Sequence, residues 1–166
     1  YSVQFACDSD PVCLETFYLN HKISHKDVHL GCIKDLYKHN QNLLQKIKGI
    51  DVVCGGPPCQ GFSTANRQRL IEDPRNHLYR DYLVVLSIIQ PKFFVIENVE
   101  GMSNKANDIA ADVRTFLGKQ YKLHHDILDA KDFGIPQNRR RFILIATRLN
   151  VEPGEIFERI GNSTTP

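Results

Sequence analysis

The segment Gly55-Gly56-Pro57-Pro58-Cys59-Gln60-Gly61-Phe62-Ser63 directly follows an apolar run, Ile50-Asp51-Val52-Val53-Cys54. The apolar run predicts a short buried strand. In the segment after this strand, the glycines allow a ligand to approach the backbone closely, and the two prolines stiffen the loop. Because ligands bind beyond the carboxyl ends of strands in open α/β sheets, Cys59 is a candidate nucleophile. A tight turn with an incidental buried cysteine explains this segment equally well when it is taken alone.

The composition is that of one globular domain with little net charge. The 166 residues include 24% charged and 42% hydrophobic residues, and the formal net charge is +2. This length can build one sizeable core, and the small charge means that any contact with nucleic acid must be local. No apolar run reaches the length of a transmembrane helix, and no signal-peptide pattern is present. We therefore expect an intracellular protein, in a bacterial cytoplasm or a nucleus, without membrane contact.

The cysteines and histidines predict no metal site. The five cysteines are an odd number without a Cys-x-x-Cys pair, which argues against a disulfide framework or a zinc finger and favours a reducing compartment. The one close histidine pair, His124-His125, would point to opposite faces of a strand.

Predicted strands alternate with predicted helices along the chain. We expect strands over residues 3–7, 28–30, 50–54, 93–96, 121–128 and 142–147. Helices are expected from Pro11, with Asp10 as N-cap, and over residues 40–48, 78–89 and 109–116. The alternation predicts an α/β fold with a mainly parallel, doubly wound sheet. The last two strands are close enough in sequence to pair antiparallel, and residues 150–166 have only weak periodicity.

Three polar residues fall at the ends of predicted strands, where they could share one rim of the sheet. Asp8 follows the first strand, Cys59 the third and Glu97 the fourth. Asp8 could bind a ribose diol or belong to the helix cap. A partly buried Glu97 would have a raised pKa and could donate a hydrogen bond to a heterocycle nitrogen. A surface carboxylate paired with a basic residue is an equally common arrangement.

The segment Gln137-Asn138-Arg139-Arg140-Arg141 leads into the last strand. Alternation along a strand would place Arg139 and Arg141 on one face and Arg140 on the other. Two arginines on one face can hold a phosphate or a carbonyl oxygen. A basic strand edge that discourages aggregation is the alternative.

Three segments resemble, in order, the DNA (cytosine-5) methyltransferases. They are Gly56-Pro57-Pro58-Cys59-Gln60-Gly61-Phe62-Ser63, Glu97-Asn98-Val99 and Gly134-Ile135-Pro136-Gln137-Asn138-Arg139-Arg140-Arg141. Each segment is moderately specific, and the ordered set is very specific; the resemblance extends to about Arg148. It implies a Rossmann-like S-adenosylmethionine-dependent methyltransferase fold, with a mainly parallel sheet and an antiparallel last strand, incomplete at both ends.

The resemblance also implies a covalent mechanism on a cytosine that is flipped out of the duplex. Cys59 would add to C6, and Glu97 would hold N3 and the exocyclic amine. C5 would then accept a methyl group from S-adenosylmethionine, leaving S-adenosylhomocysteine. Arg141 is similar to the residue that contacts the cytosine O2, and Arg139 to a support of the pocket.

Cofactor and DNA contacts follow from the same resemblance. Asp8 is similar to the acid that binds the ribose, and Pro58 and Leu78 to residues that line the cofactor site. Cys32 stands where the family usually has an acid that contacts the adenine amine, which is a departure from the pattern. The positions that resemble DNA contacts are Pro57, Gln60, Ser63 and Gln137.

The resemblance divides the chain near residue 149. Residues 1–149 correspond to the catalytic core, and residues 150–166 lead towards a target-recognition domain that this sequence lacks, as it lacks the family's glycine-rich cofactor loop. We expect a core fragment or a split subunit that acts on double-stranded DNA, with a second polypeptide as a candidate source of the recognition domain.

Other functions remain open at this point. A methyltransferase-like module without activity and a tRNA cytosine-5 methyltransferase are the alternatives, although the Gly61-Phe62-Ser63 ending is more similar to the DNA enzymes. A nicotinamide dehydrogenase ranks lowest because no Gly-x-Gly-x-x-Gly segment opens a helix.

Overall fold

The computed structural model describes residues 2–58 and 76–162. Within these ranges strands alternate with helices, and the strands form two sheets. None of the described helices is both long and apolar enough to cross a membrane. The predicted α/β fold is confirmed, but the single sheet that the sequence predicts is divided in two.

The smaller sheet has two parallel strands, β1 (Ala6–Asp8) and β2 (Val28–Leu30). Helix α1 (Pro11–Asn20) connects them. The Asp10 carboxylate accepts two backbone N–H groups of the first helical turn, at 2.8 and 3.4 Å. Asp10 is therefore the N-cap and Pro11 the first helical residue, as the sequence predicts.

The larger sheet has the strand order β3-β4-β6-β5. Strands β3 (Val52–Gly55) and β4 (Phe93–Val99) are parallel. Strand β6 (Arg140–Thr147) lies between β4 and β5 (Lys122–Asp129) and is antiparallel to both. The predicted antiparallel last strand is thus confirmed, and β3, β4 and β5 all run in the same direction.

The main core lies between the larger sheet and two helices, α4 (Asn76–Ile89) and α5 (Ala106–Leu117). Alternate side chains of a strand point to opposite faces, so every second residue of β4 and β6 enters this core. These strand residues are Phe94, Ile96, Phe142, Leu144 and Ala146.

A second core cluster joins the two sheets. It contains buried residues of α2 (Ile33–His39), α3 (Gln41–Lys46) and α4. Cys7 of β1 and Val53 of β3 both pack against it, although neither strand pairs with the other. In the described part of the chain, the two sheets are therefore connected through helices and not through strand hydrogen bonds.

Two helices are absent from the sequence prediction. One is α2, in which only Leu36 is fully buried. The other is α6 (Pro153–Asn162), which packs on β5. There the Phe157 ring lies 5.3 Å from the ring of His124. The segment expected to be a weakly structured tail is thus mostly a helix that covers the edge of the sheet.

Several predicted strand limits are wrong, and the limits affect the site. β1 includes Asp8, and β4 continues through Glu97 to Val99, so both acids lie within strands and not after them. β1 is not a neighbour of β3 or β4. The prediction that Asp8 shares a rim with Glu97 is therefore not met by the described strands.

Candidate active site

The backbone that follows β3 lies against β4. Gly55 is in register with Ile96, so residues 56–58 pass beside the end of β4. A Cβ added to Gly56 would lie 3.2 Å from Glu97 Oε2, a distance tighter than most real Cβ contacts. Gly56 therefore lets the Glu97 carboxylate lie against the loop backbone.

Asn98 holds the backbone of the same loop through a side-chain hydrogen bond. Its side chain is buried, Nδ2 donates to the Pro57 carbonyl at 2.9 Å, and Oδ1 accepts from the Val99 N–H at 2.9 Å. Because a buried amide group that loses a partner carries a desolvation penalty, this bond fixes the path of the backbone. The sequence prediction missed Asn98. The signal that could have identified it is a polar amide at the end of an otherwise apolar strand.

Glu97 forms an ion pair with Arg141 across the sheet. Glu97 Oε1 lies 3.0 Å from Arg141 Nε, and the side chains are 46% and 27% exposed. Glu97 is in register with Ile143, so Arg141 is its diagonal neighbour on the adjacent strand. Arg141 Nη1 also donates to the Arg140 carbonyl at 2.9 Å. Glu97 is thus half-buried and paired with a basic residue, which is the second arrangement that the sequence left open.

A cavity of about 260 Å³ brings these groups together. Its lining residues are Gly56, Pro57, Pro58, Glu97, Asn98, Val99, Arg139 and Arg141. Arg140 is not among them, because it pairs with Glu100 at 2.8 Å. Gln137 lines a neighbouring cavity of about 720 Å³, which Arg139 and Arg141 also border. The two arginines predicted to share a face therefore share a cavity with Glu97.

Comparison with known proteins identifies the family. A family model described as C-5 cytosine-specific DNA methylase matches residues 1–164. The chain belongs to this family. Among curated relatives, Type II methyltransferase M1.HphI of Haemophilus parahaemolyticus is 42% identical over 70% of the chain and 32% of its own length. Type II methyltransferase M.AquIA of Picosynechococcus sp. is 36% identical over 90% of the chain and 64% of its own length.

A solved structure agrees with this membership. The S. pombe Dnmt2 methyltransferase superposes with a TM-score of 0.68 and 26% identity, covering 95% of this chain and 47% of that one. The chain therefore spans between about a third and two thirds of the length of these proteins. The fold of a C-5 cytosine methylase is present in the part that the chain covers.

The residues that family resemblance assigns to the cofactor lie on several elements. Asp8 is exposed at the end of β1, where its Oδ1 accepts the Asp10 N–H at 2.9 Å. Its carbonyl accepts the Gly31 N–H at 2.9 Å, next to Cys32, the N-cap residue of α2. Leu78 is half-buried in α4. Of the four cofactor assignments, only Pro58 lines the cavity that holds Glu97.

The thiol of Cys7, in β1, is not a candidate nucleophile, because it stays protonated at neutral pH. Burial raises the pKa of Cys7 to about 11, and the carboxylates of Asp8 and Asp35 and the thiol of Cys32 add to the effect. Within residues 2–58 and 76–162, no group of three or more His, Cys, Asp or Glu side chains could hold a metal ion. Cys59, Gln60 and Ser63 lie outside the described residues.

Asp129 is a second residue that the sequence prediction missed. It is the last residue of β5 and is buried, whereas residues 131–139 of the adjoining connection are exposed. An isolated acid at a strand end gives no specific sequence signal, so only its contacts in the structure identify it.

Proposed function

We propose that this chain carries the catalytic core of a DNA cytosine-5 methyltransferase. The reaction transfers a methyl group from S-adenosylmethionine to C5 of a cytosine flipped out of double-stranded DNA, through a covalent bond between Cys59 and C6. The observation that carries the proposal is the cavity in which Glu97 and Arg141 meet the backbone leading directly to Cys59. Membership of the C-5 cytosine methylase family supports the same reaction.

The proposed roles follow the charge that develops on the base. The Cys59 thiolate bonds to C6, and the displaced π electrons make C5 a nucleophile. Glu97 holds a proton at N3 and Arg141 contacts O2, so charge on the ring is offset where it forms. Bound S-adenosylmethionine supplies the methyl group that C5 accepts. Loss of the C5 proton and departure of Cys59 then restore the aromatic ring.

Arg141 has two acceptors in this scheme. It is paired with Glu97 Oε1 at 3.0 Å, and its proposed role directs it to the base O2. A cytosine that enters the cavity therefore competes with Glu97 for the guanidinium. Once released from the ion pair, the Glu97 carboxyl can turn to the ring nitrogen. Entry of the base would thus prepare the acid that the reaction needs.

Asp8 fits the cofactor ribose by its chemistry. Its carboxylate is exposed at a strand end and receives only the Asp10 N–H among the hydrogen bonds of the described residues. It can therefore accept from the two hydroxyls of a ribose. Pro58 and Leu78 would add apolar contacts, and Cys32 would lie near the adenine without supplying an acid.

DNA contacts and domain organisation belong to the same proposal. Gln137 borders the larger cavity beside Arg139, which supports a phosphate contact there, and Pro57, Gln60 and Ser63 would contact DNA from the loop. Residues 1–149 would form the core, and residues 150–166, which include α6, would lead to a target-recognition domain on this or a second polypeptide. An intracellular location, where DNA is present, stays a prediction.

Covalent trapping tests the nucleophile. The full-length protein, with methyl donor and duplex DNA containing 5-fluorocytosine, should form a stable covalent complex because fluorine replaces the proton that must leave C5. Cys59→Ser should abolish this complex. Cys54→Ser is the matched control, since Cys54 is an exposed thiol on the strand that precedes the loop, and it should keep trapping. Trapping that persists in Cys59→Ser would refute the assignment.

The same assay separates the alternatives. Trapping on RNA and not on DNA would favour a tRNA cytosine-5 methyltransferase. No trapping on either, by a folded protein that binds S-adenosylhomocysteine, would favour a module without activity.

A further inference from the structure

We infer that Asp129 is a positioning residue that sets the arginine segment of β6 at the candidate active site. This inference rests on the proposed function for its catalytic meaning, but its structural content can be tested separately. Asp129 ends β5 and is in register with Arg140 at the start of β6. Asp129 therefore lies at the start of the connection between the two strands and directly opposite the residue at which the connection ends.

The Asp129 carboxylate binds backbone N–H groups near both ends of that connection. Oδ1 accepts the backbone N–H of Arg139 at 3.1 Å and the N–H of Lys131 at 3.4 Å. The Arg139 carbonyl in turn accepts the Ala130 N–H at 3.1 Å. One carboxylate oxygen thus holds both ends of a ten-residue connection, and both backbone polar groups of Arg139 are fixed.

The direction of the Arg139 side chain depends on this closure. Arg139 is exposed and has no strand partner in the register of β5 and β6, which begins at Arg140. It nevertheless lines the same cavity as Glu97 and Arg141. Because its backbone is held by Asp129 and Ala130, the side chain leaves the backbone towards that cavity. Without the Asp129 acceptor, the start of β6 would fray, and the Arg139 side chain would move away from the cavity.

The charge of Asp129 has a smaller part than its acceptor oxygen. Oδ2 lies 3.4 Å from Lys131 Nζ, but the Lys131 side chain is 57% exposed, and ion pairs with an exposed partner contribute little. The backbone N–H groups, in contrast, bind an oxygen that is largely shielded from water. An asparagine, whose Oδ1 can accept the same two bonds, should therefore replace Asp129 in this role.

Amide hydrogen exchange and methyl-transfer kinetics on the full-length protein test the inference together. Asp129→Ala should speed exchange of the Arg139 amide and lower kcat/KM for DNA by about ten- to a hundredfold, as expected when a group at the reaction centre is misplaced. Asp129→Asn should keep Arg139 protected and stay within a few-fold of the unaltered enzyme. Asp126→Ala, an exposed acid on the same strand, should change neither.

A double-mutant cycle separates positioning from general loss of structure. If Asp129 acts through Arg139, Asp129→Ala should lower kcat/KM much less in an Arg139→Ala background than in the unaltered protein. Both substitutions then remove the same contribution of the Arg139 side chain. The inference would be overturned if the two substitutions lowered kcat/KM by independent, multiplicative factors. Unchanged hydrogen exchange of the Arg139 amide in Asp129→Ala would also overturn it. A Asp129→Asn protein as impaired as Asp129→Ala would also overturn it. Altered exchange together with no methyl transfer by the unaltered protein would refute the proposed function alone and leave the positioning contact established.

Discussion

Arg141 Nε lies 3.0 Å from Glu97 Oε1, and this ion pair joins the central strand β4 to the antiparallel strand β6 at the mouth of the candidate active site. Glu97 is 46% exposed, and ion pairs of this kind contribute only about 0.2–1 kcal/mol to stability. The pair therefore matters more for the positions of the two side chains at the cavity than for the stability of the fold. It holds an acid and a guanidinium at one cavity, where the proposed function has an incoming base separate them.

Glu97→Gln should remove the acid while keeping its size. We expect turnover to fall by about 10²- to 10⁴-fold, the usual contribution of a positioned acid or base, with little change in melting temperature. Single-turnover methyl transfer and thermal denaturation measure the two effects. Glu100→Gln is the matched control, because Glu100 is also 46% exposed and pairs with Arg140 outside the smaller cavity. Equal turnover in both variants would remove Glu97 from the mechanism.

Gly55→Ala should destabilise the fold. The added Cβ would lie 2.6 Å from the ring of Tyr82, which is 5% exposed and donates its hydroxyl to the Val95 carbonyl at 3.2 Å. A ring held in this way cannot retreat, and overpacking of this kind costs about 1–3 kcal/mol. Urea denaturation measures the loss. Gly101→Ala, where no atom lies within 4 Å of the added Cβ, should change stability far less, and equal losses would contradict the explanation.

Gly56→Ala should instead affect activity. Its Cβ would lie 3.2 Å from Glu97 Oε2, the end of a flexible side chain that can move by a few tenths of an ångström. We therefore expect stability close to that of the unaltered protein and a clear loss of turnover, because the carboxylate is displaced. Comparing Gly55→Ala with Gly56→Ala in both assays tests whether adjacent glycines serve different purposes. Full activity in Gly56→Ala would show that Glu97 tolerates the shift.

Local sequence signals predicted the elements that depend on local physics. The cap formed by Asp10 follows from its position before Pro11, and the buried strand β4 follows from an unbroken apolar run. Helix α2 was missed because its seven residues bury only Leu36 fully, which is too little to show a helical period. The end of β4 was misplaced because Glu97 and Asn98 continue the strand through pairing with β6, which the sequence of β4 does not encode.

The site was predictable to the extent that its residue types are distinctive. Glu97, Arg139 and Arg141 were candidates from the sequence, but the ion pair between Glu97 and Arg141 depends on the register between β4 and β6. Asn98 and Asp129 were missed because both act on backbone groups, Pro57 O and Arg139 N. Such bonds depend on where distant segments meet. The sequence signal is therefore weak for Asn98, a polar amide at the end of an apolar strand, and absent for Asp129.

Asn98→Asp should loosen the loop that leads to Cys59. The carboxylate can still accept the Val99 N–H but cannot donate to the Pro57 carbonyl, which the amide reaches at 2.9 Å. Losing a buried partner costs about 1–3 kcal/mol. We expect lower stability in urea and slower covalent trapping on 5-fluorocytosine DNA. Asn107→Asp, at an exposed position of α5 outside both cavities, is the control, and an unaffected trapping rate in Asn98→Asp would contradict the role.

Acid should remove the contribution of Asp129 to stability. Burial alone would raise the pKa of this carboxyl, but the N–H groups of Arg139 and Lys131 and the Lys131 ammonium bring the pKa below its ordinary value of 3.8. A carboxyl with a lowered folded pKa stabilises the fold above its unfolded pKa, and that contribution is lost as the pH falls through the folded pKa. The free energy of unfolding of the unaltered protein should therefore exceed that of Asp129→Asn at pH 7, and the difference should shrink from about pH 5 downward. Denaturation curves of both proteins from neutral pH to about pH 3 measure this difference. A difference that stays constant over that range would mean that the ionised carboxylate has no special contacts in the folded state.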